Sequence, residues 1–135
     1  MMVRALIILT LALGAPFAAQ GGDYDGSKTL LCTPTEAVSC AGAGECERAT
    51  TEALDVPPFI KIDFGKKLLS GKLKSGDERQ TPIWNIKADE DTTLLQGGEY
   101  GRGWSFVIQH DTGEMSAAIA GYAGAIVLLG ACTVD

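Results

Sequence analysis

The sequence predicts an all-β domain, a small antiparallel β-barrel or sandwich of about eight short strands. Three observations predict it. Apolar residues recur with a period of two in several short segments, glycine accounts for 17 of the 135 residues, and four cysteines follow an export-type N-terminus. Alternation is what a strand with one face on a core produces. Glycine at this frequency favours tight turns over helices, and cysteines in an exported chain favour disulfides over free thiols.

The stretch from Arg102 to Cys132 organises the rest. Trp104, Phe106, Ile108 and His110 share one parity, and Ser105, Val107 and Gln109 the other. Asp111-Thr112-Gly113 is a turn, because Asp accepts local backbone hydrogen bonds and Gly supplies a positive φ. Met115, Ala117 and Ile119 alternate with small residues up to a second turn at Gly121-Tyr122-Ala123-Gly124. Ile126, Leu128, Gly130 and Cys132 share a parity in the final strand, but Val127 and Leu129 are apolar as well. That strand is expected either to be central and buried on both faces or to close a barrel. A rival reading makes the uncharged run Met115–Val134 a membrane helix, since its length suits a bilayer. The dominance of Ala and Gly, the lack of a basic flank and the need for a hairpin partner weigh against it.

At the other end, Arg4, the apolar run Ala5–Leu13 and the small residues after Pro16 have the layout of a secretory signal peptide. With Ala19-Gln20-Gly21 as the cleavage site, residues 1–21 are the signal peptide and residues 22–135 a single β domain. The expected location is periplasmic or secreted. Four cysteines allow three pairings; Cys32 with Cys132 and Cys40 with Cys46 are favoured. Cys32 shares parity with Leu30 as Cys132 does with Leu128, and the glycines between Cys40 and Cys46 relieve a small loop.

Between these ends, Asp23–Ser27 reads as an exposed leader. Lys28–Cys40 is a strand pair or one bent strand, with Pro34 marking an edge or a bulge. Glu47–Asp55 is the one candidate for a short helix, ended by Val56-Pro57-Pro58. Ile60, Ile62 and Phe64 alternate with Lys61 and Asp63, and Leu68-Leu69 starts the return after a turn. Ser70–Arg79 is expected to be a long loop or hairpin tip. Thr81–Ala88 sets Trp84, Ile86 and Ala88 on one face, Asp89-Glu90-Asp91 turns, and Thr92–Gln96 returns. Gly97–Gly101 then leads into the last meander.

The net charge is −6, and it is uneven. Between Lys61 and Arg79 six cations (Lys61, Lys66, Lys67, Lys72, Lys74, Arg79) meet three anions (Asp63, Asp77, Glu78). Lysines on exposed strands ordinarily prevent edge pairing; a basic tip on an acidic body also suits anionic envelope sugars. Nucleic acid is excluded as a partner by the overall sign and by the lack of a basic-aromatic module.

Groups for chemistry are few. His110 is the sole histidine, and Ser105 or Ser116 with Asp111 would complete a triad only on paper, because Ser105 lies on the opposite parity. Carboxylates are scattered through turns and no metal-ligand spacing occurs, so no enzyme, metal or cofactor is expected. A better surface is the rim Glu99–Trp104: Tyr100, Arg102 and Trp104, together with Tyr122, are residue types that anchor interfaces. Trp104 also reads as the plug of the core.

The residues GRGWSFVIQHDTGEMSA followed by LLGACT resemble small exported bacterial β-proteins that share a Trp strand, a Thr-Gly turn and a closing Cys. In outline the chain is also similar to the periplasmic inhibitors of C-type lysozyme, which insert a Ser-Gly-x-x-Tyr loop into the enzyme cleft. Here Ser70-Gly71 is followed by Lys74 at the Tyr position, and Ser75-Gly76 by Arg79, so that chemistry does not carry over. The expectation is a non-enzymatic envelope domain recognising a protein or glycan through a loop-rich rim, with no transmembrane segment after cleavage. The alternatives are a lysozyme-inhibitor-like protein and a small-ligand carrier with Trp84, Trp104 and Phe106 lining an apolar interior.

Overall fold

The computed structural model describes residues 23–42 and 44–135; the expected signal peptide lies outside them. The described chain is all-β. Its strands are β1 (Leu30–Ala41), β2 (Glu45–Ala49), β3 (Ile60–Asp63), β4 (Leu68–Lys72), β5 (Glu78–Ala88), β6 (Thr92–Glu99), β7 (Arg102–Gln109), β8 (Glu114–Gly121) and β9 (Gly124–Val134). All pairings are antiparallel between chain neighbours from β3 to β9, and β9 returns to β1. Eight strands therefore form a closed barrel, which leaves no free edge around most of its wall.

Closure has a long seam and a short one. β1 and β9 are matched from Leu30↔Val134 to Ala41↔Gly124, with a bulge between Pro34 and Glu36. Proline lacks the amide a regular ladder needs, and the bulge accommodates it. On its other edge β1 has two partners in succession: Leu30–Cys32 pair with β3, and Ala37–Ala41 pair with β2. An excursion of residues 50–59 links β2 to β3, which share this edge of β1. Val56 at its centre is buried and Leu54 packs on the core.

Inward residues stand in rows. Gly97, Trp104, Ile119 and Ile126 face one another across β6 to β9, then Leu95, Phe106, Ala117 and Leu128, then Thr93, Ile108, Met115 and Gly130. Large residues lie beside small ones, as filling a narrow barrel requires. Trp104 and Phe106 meet edge to face with centroids 5.7 Å apart.

Both favoured disulfides form, Cys32–Cys132 across the long seam and Cys40–Cys46 across the β1–β2 hairpin. They point to an oxidising environment outside the cytoplasm.

Two expectations, on residues 47–55 and on Trp84, are corrected, and two open alternatives, on residues 115–134 and on β9, are decided. Glu47–Asp55 is not a helix: β2 runs to Ala49, because the Cys40–Cys46 bond and the Ala37↔Ala49 to Ala41↔Glu45 register hold it on β1, and turns follow. Met115–Val134 is no membrane helix; it is two strands, and among the described residues no helix is long and apolar enough to cross a bilayer. β9 closes the barrel with Val127 and Leu129 exposed on the outside, so it is not buried on both faces. Trp84 does not share a face with the core: Ile83 pairs with Gly97 and Asn85 with Gln96, so Trp84 is bulged out and 69% exposed.

The two disulfides are expected to differ in weight. The Cys32–Cys132 bond spans 100 residues and the Cys40–Cys46 bond 6. Replacing the first pair with serine is expected to cost about 4–5 kcal/mol and the second about 2 kcal/mol. Urea unfolding measures both; equal losses would contradict the seam as the main closure.

Candidate functional site

The two ends of the barrel differ. At one, the leader before β1 lies over the opening: Tyr24 packs on the core, and Thr93 Oγ1 donates to its carbonyl at 3.1 Å. Leu30, Ile62 and Ile108 below it are fully buried. The other end carries the β4–β5, β6–β7 and β8–β9 hairpin tips and is open. There a cavity of about 110 Å³ descends between the excursion before β3 and the upper rows of the barrel.

Each wall has a local cause. Trp104, Phe106, Ile119, Ile126 and Leu128 form the floor because they occupy the inward parity of β7, β8 and β9. Trp104 is 7% exposed, and its indole N–H donates to Thr81 Oγ1 at 3.2 Å, which satisfies the one polar atom of the ring. Room for the indole comes from Gly97, where an added Cβ would stand 2.2 Å from Trp104 Cζ2. On the outside, a Cβ on Gly98 would stand 2.7 Å from Trp84 Cη2. The two tryptophans thus clasp the same pair of glycines from opposite sides of the wall, covering backbone that glycine leaves bare. The excursion reaches the cavity through Leu54–Pro57, and Pro57 lies against Gly71 of β4 where a side chain would collide with it.

The rim is aromatic and charged. Tyr100 is 87% exposed and Tyr122 fully exposed. Tyr100 (φ 48°) and Gly101 (φ 74°) make the two-residue β6–β7 turn, whose positive φ values match the twist of the flanking strands. Arg102, opposite Gly121, runs its stem over that glycine. Arg79, Arg102, Asp55 and Glu99 all line the cavity, and none takes part in a salt bridge among the described residues. Two cations and two anions balance at the mouth.

The fold brings together Tyr100, Arg102 and Tyr122 at one opening. It sets Trp104 beneath them rather than among them, as the plug that also floors the cavity. Trp84 lies outside, so of the three residues expected to line an apolar interior only Trp104 and Phe106 do so. Ser70-Gly71 stands in the β4 wall, and Ser75-Gly76 lies in the β4–β5 tip. His110 is at the closed end, with ring contacts to Thr93 and to the Glu90 carbonyl rather than to Ser105 or Ser116. Arg79, Thr81 and the excursion are additions: Arg79 read as part of a loop, and nothing local marks residues 54–57 as cavity wall. No family model, curated protein or solved structure matches the chain.

Replacing Gly97 with alanine is expected to force the indole aside, costing about 1–3 kcal/mol and shifting tryptophan emission to the red. Unchanged stability and emission would show that the glycine is not what seats Trp104.

Proposed function

We propose that this is a non-enzymatic binding domain of the bacterial envelope, periplasmic or secreted, that recognises a protein or envelope glycan through its open end. One observation carries the reading. The exposed Tyr100, Arg102 and Tyr122 stand at the same end of the barrel as a largely apolar recess, and Arg102 lines it. Aromatic and arginine side chains supply most of the energy at recognition surfaces, and a recess at the centre seats an anchoring group away from water.

The size of the recess weighs against the carrier reading. Pockets that enclose a whole small ligand measure roughly 300–1,000 Å³, and this one holds about 110 Å³. It fits one apolar side group of a larger partner. The rest of the interior is filled by Leu95, Phe106, Ile108 and Leu128. The negative body favours encounter with a cationic partner and affects its rate more than its strength.

A photo-crosslinking residue at position 100 or 122, compared with one at position 112 on the opposite end, tests the proposal in envelope extract. Adducts are expected from the open end alone, with Arg102→Ala lowering their yield by about tenfold. Equal labelling from both ends, or none from positions 100 and 122, would overturn it.

A further inference from the structure

The closed end holds three hydrogen bonds that share too few protons. Thr93 is fully buried, and its hydroxyl has one proton. That proton goes to the Tyr24 carbonyl of the leader at 3.1 Å, and the same oxygen lies 2.8 Å from His110 Nε2. The other ring nitrogen, Nδ1, lies 3.1 Å from the Glu90 carbonyl. A carbonyl only accepts, so Nδ1 must carry a proton to bond there. With Nδ1 protonated in a neutral ring, Nε2 is an acceptor. The Thr93 hydroxyl then serves Nε2 or Tyr24, not both. With the proton on Nε2 instead, Nδ1 turns a lone pair on the Glu90 carbonyl. Only the imidazolium, a donor at both nitrogens, completes all three bonds.

We infer that His110 is a proton-operated latch, holding the leader over the closed end of the barrel when its ring is charged and loosening it when neutral. The leader, residues 23–29, belongs to no strand of the barrel. It is anchored by Tyr24, whose ring fills the space where Gly113 lacks a side chain, and by the Thr29 carbonyl, which accepts the Asp135 amide at 3.0 Å.

Carboxylates and one lysine stand on the elements around the ring. Asp25 is on the leader, Glu90 and Asp91 form the β5–β6 turn that bonds to His110, and Asp111 follows it in the chain. The leader's cation, Lys28, is paired with Asp23. The Asp25 carboxyl is held below its ordinary value of 3.8, chiefly by hydrogen bonds from the Ser27 side chain and backbone, with a smaller part from the charge on His110.

The direction follows. The latch is complete while His110 is charged and one bond short when the ring has given up a proton. The Asp25 contribution is present above pH 3.8 and is lost as pH falls through its depressed value. The leader is therefore held best while the ring is charged and Asp25 is ionised.

Hydrogen exchange on the oxidised protein reads the latch. Protection of the Asp135 amide, corrected for intrinsic exchange, reports whether Thr29 is in place. Protection of Ile108, buried in β7, confirms that the barrel is folded. Asp135 protection is expected to fall about fivefold from pH 5 to pH 8, the weight of one hydrogen bond. His110→Gln and Thr93→Val are each expected to abolish that dependence while Ile108 stays protected. Equal Asp135 protection at the two pH values, or the same dependence in His110→Gln, would overturn the latch. The open-end binding reading is unaffected either way, because it rests on the opposite rim.

Discussion

Everything in this barrel depends on the pairing of its first and last strands. β1 and β9 run alongside each other for their full lengths, while β1 meets β3 through only three residue pairs. A sheet with one such short contact would open there, exposing two edges to water and to other chains. The long seam prevents this, and Cys32–Cys132 removes the freedom of the chain between them in the unfolded state. The fully buried Leu30 and Leu128 lie along the same seam, so the apolar core and the covalent bond close the same joint.

The short contact has a use. β3 has only four residues and β2 pairs further along the same edge of β1, and the loop joining them lines the cavity with Leu54–Pro57. A strand would have set its side chains into the interior at regular spacing and filled it. The excursion supplies Val56 and Pro57 from the side, and the recess beneath the rim is what it leaves unfilled. The mouth is accordingly a product of uneven strand length, and the opposite end is tight because β1, β3 and β9 all reach it and the leader folds across.

How far the sequence could be read depended on whether parity and core agree. In β7 they do: Trp104, Phe106 and Ile108 alternate and are all buried. In β5 a single bulged residue breaks the phase, and Trp84 passes to the outside although its spacing from Ile86 and Ala88 reads as one face. In β9 both parities are apolar, so periodicity could not name the buried face; the outward Val127 and Leu129 lie on a sector of β8 and β9 made of small uncharged residues. Glu47–Asp55 has local helix character, but a six-residue disulfide loop and five cross-strand pairs outweigh propensity. The exposure of Tyr100 and Tyr122 was legible because turns expose what they carry. The recess was not, because it forms where a loop distant in sequence packs over β4 and β7.

The central claim is that β1 and β9 close an antiparallel barrel, and inter-strand nuclear Overhauser contacts in the oxidised protein test it most directly. The account predicts an unbroken antiparallel series from Leu30–Val134 to Ala41–Gly124, stepping by one residue between Pro34 and Glu36. Absence of that series, or sequential helical contacts through Met115–Val134, would contradict it.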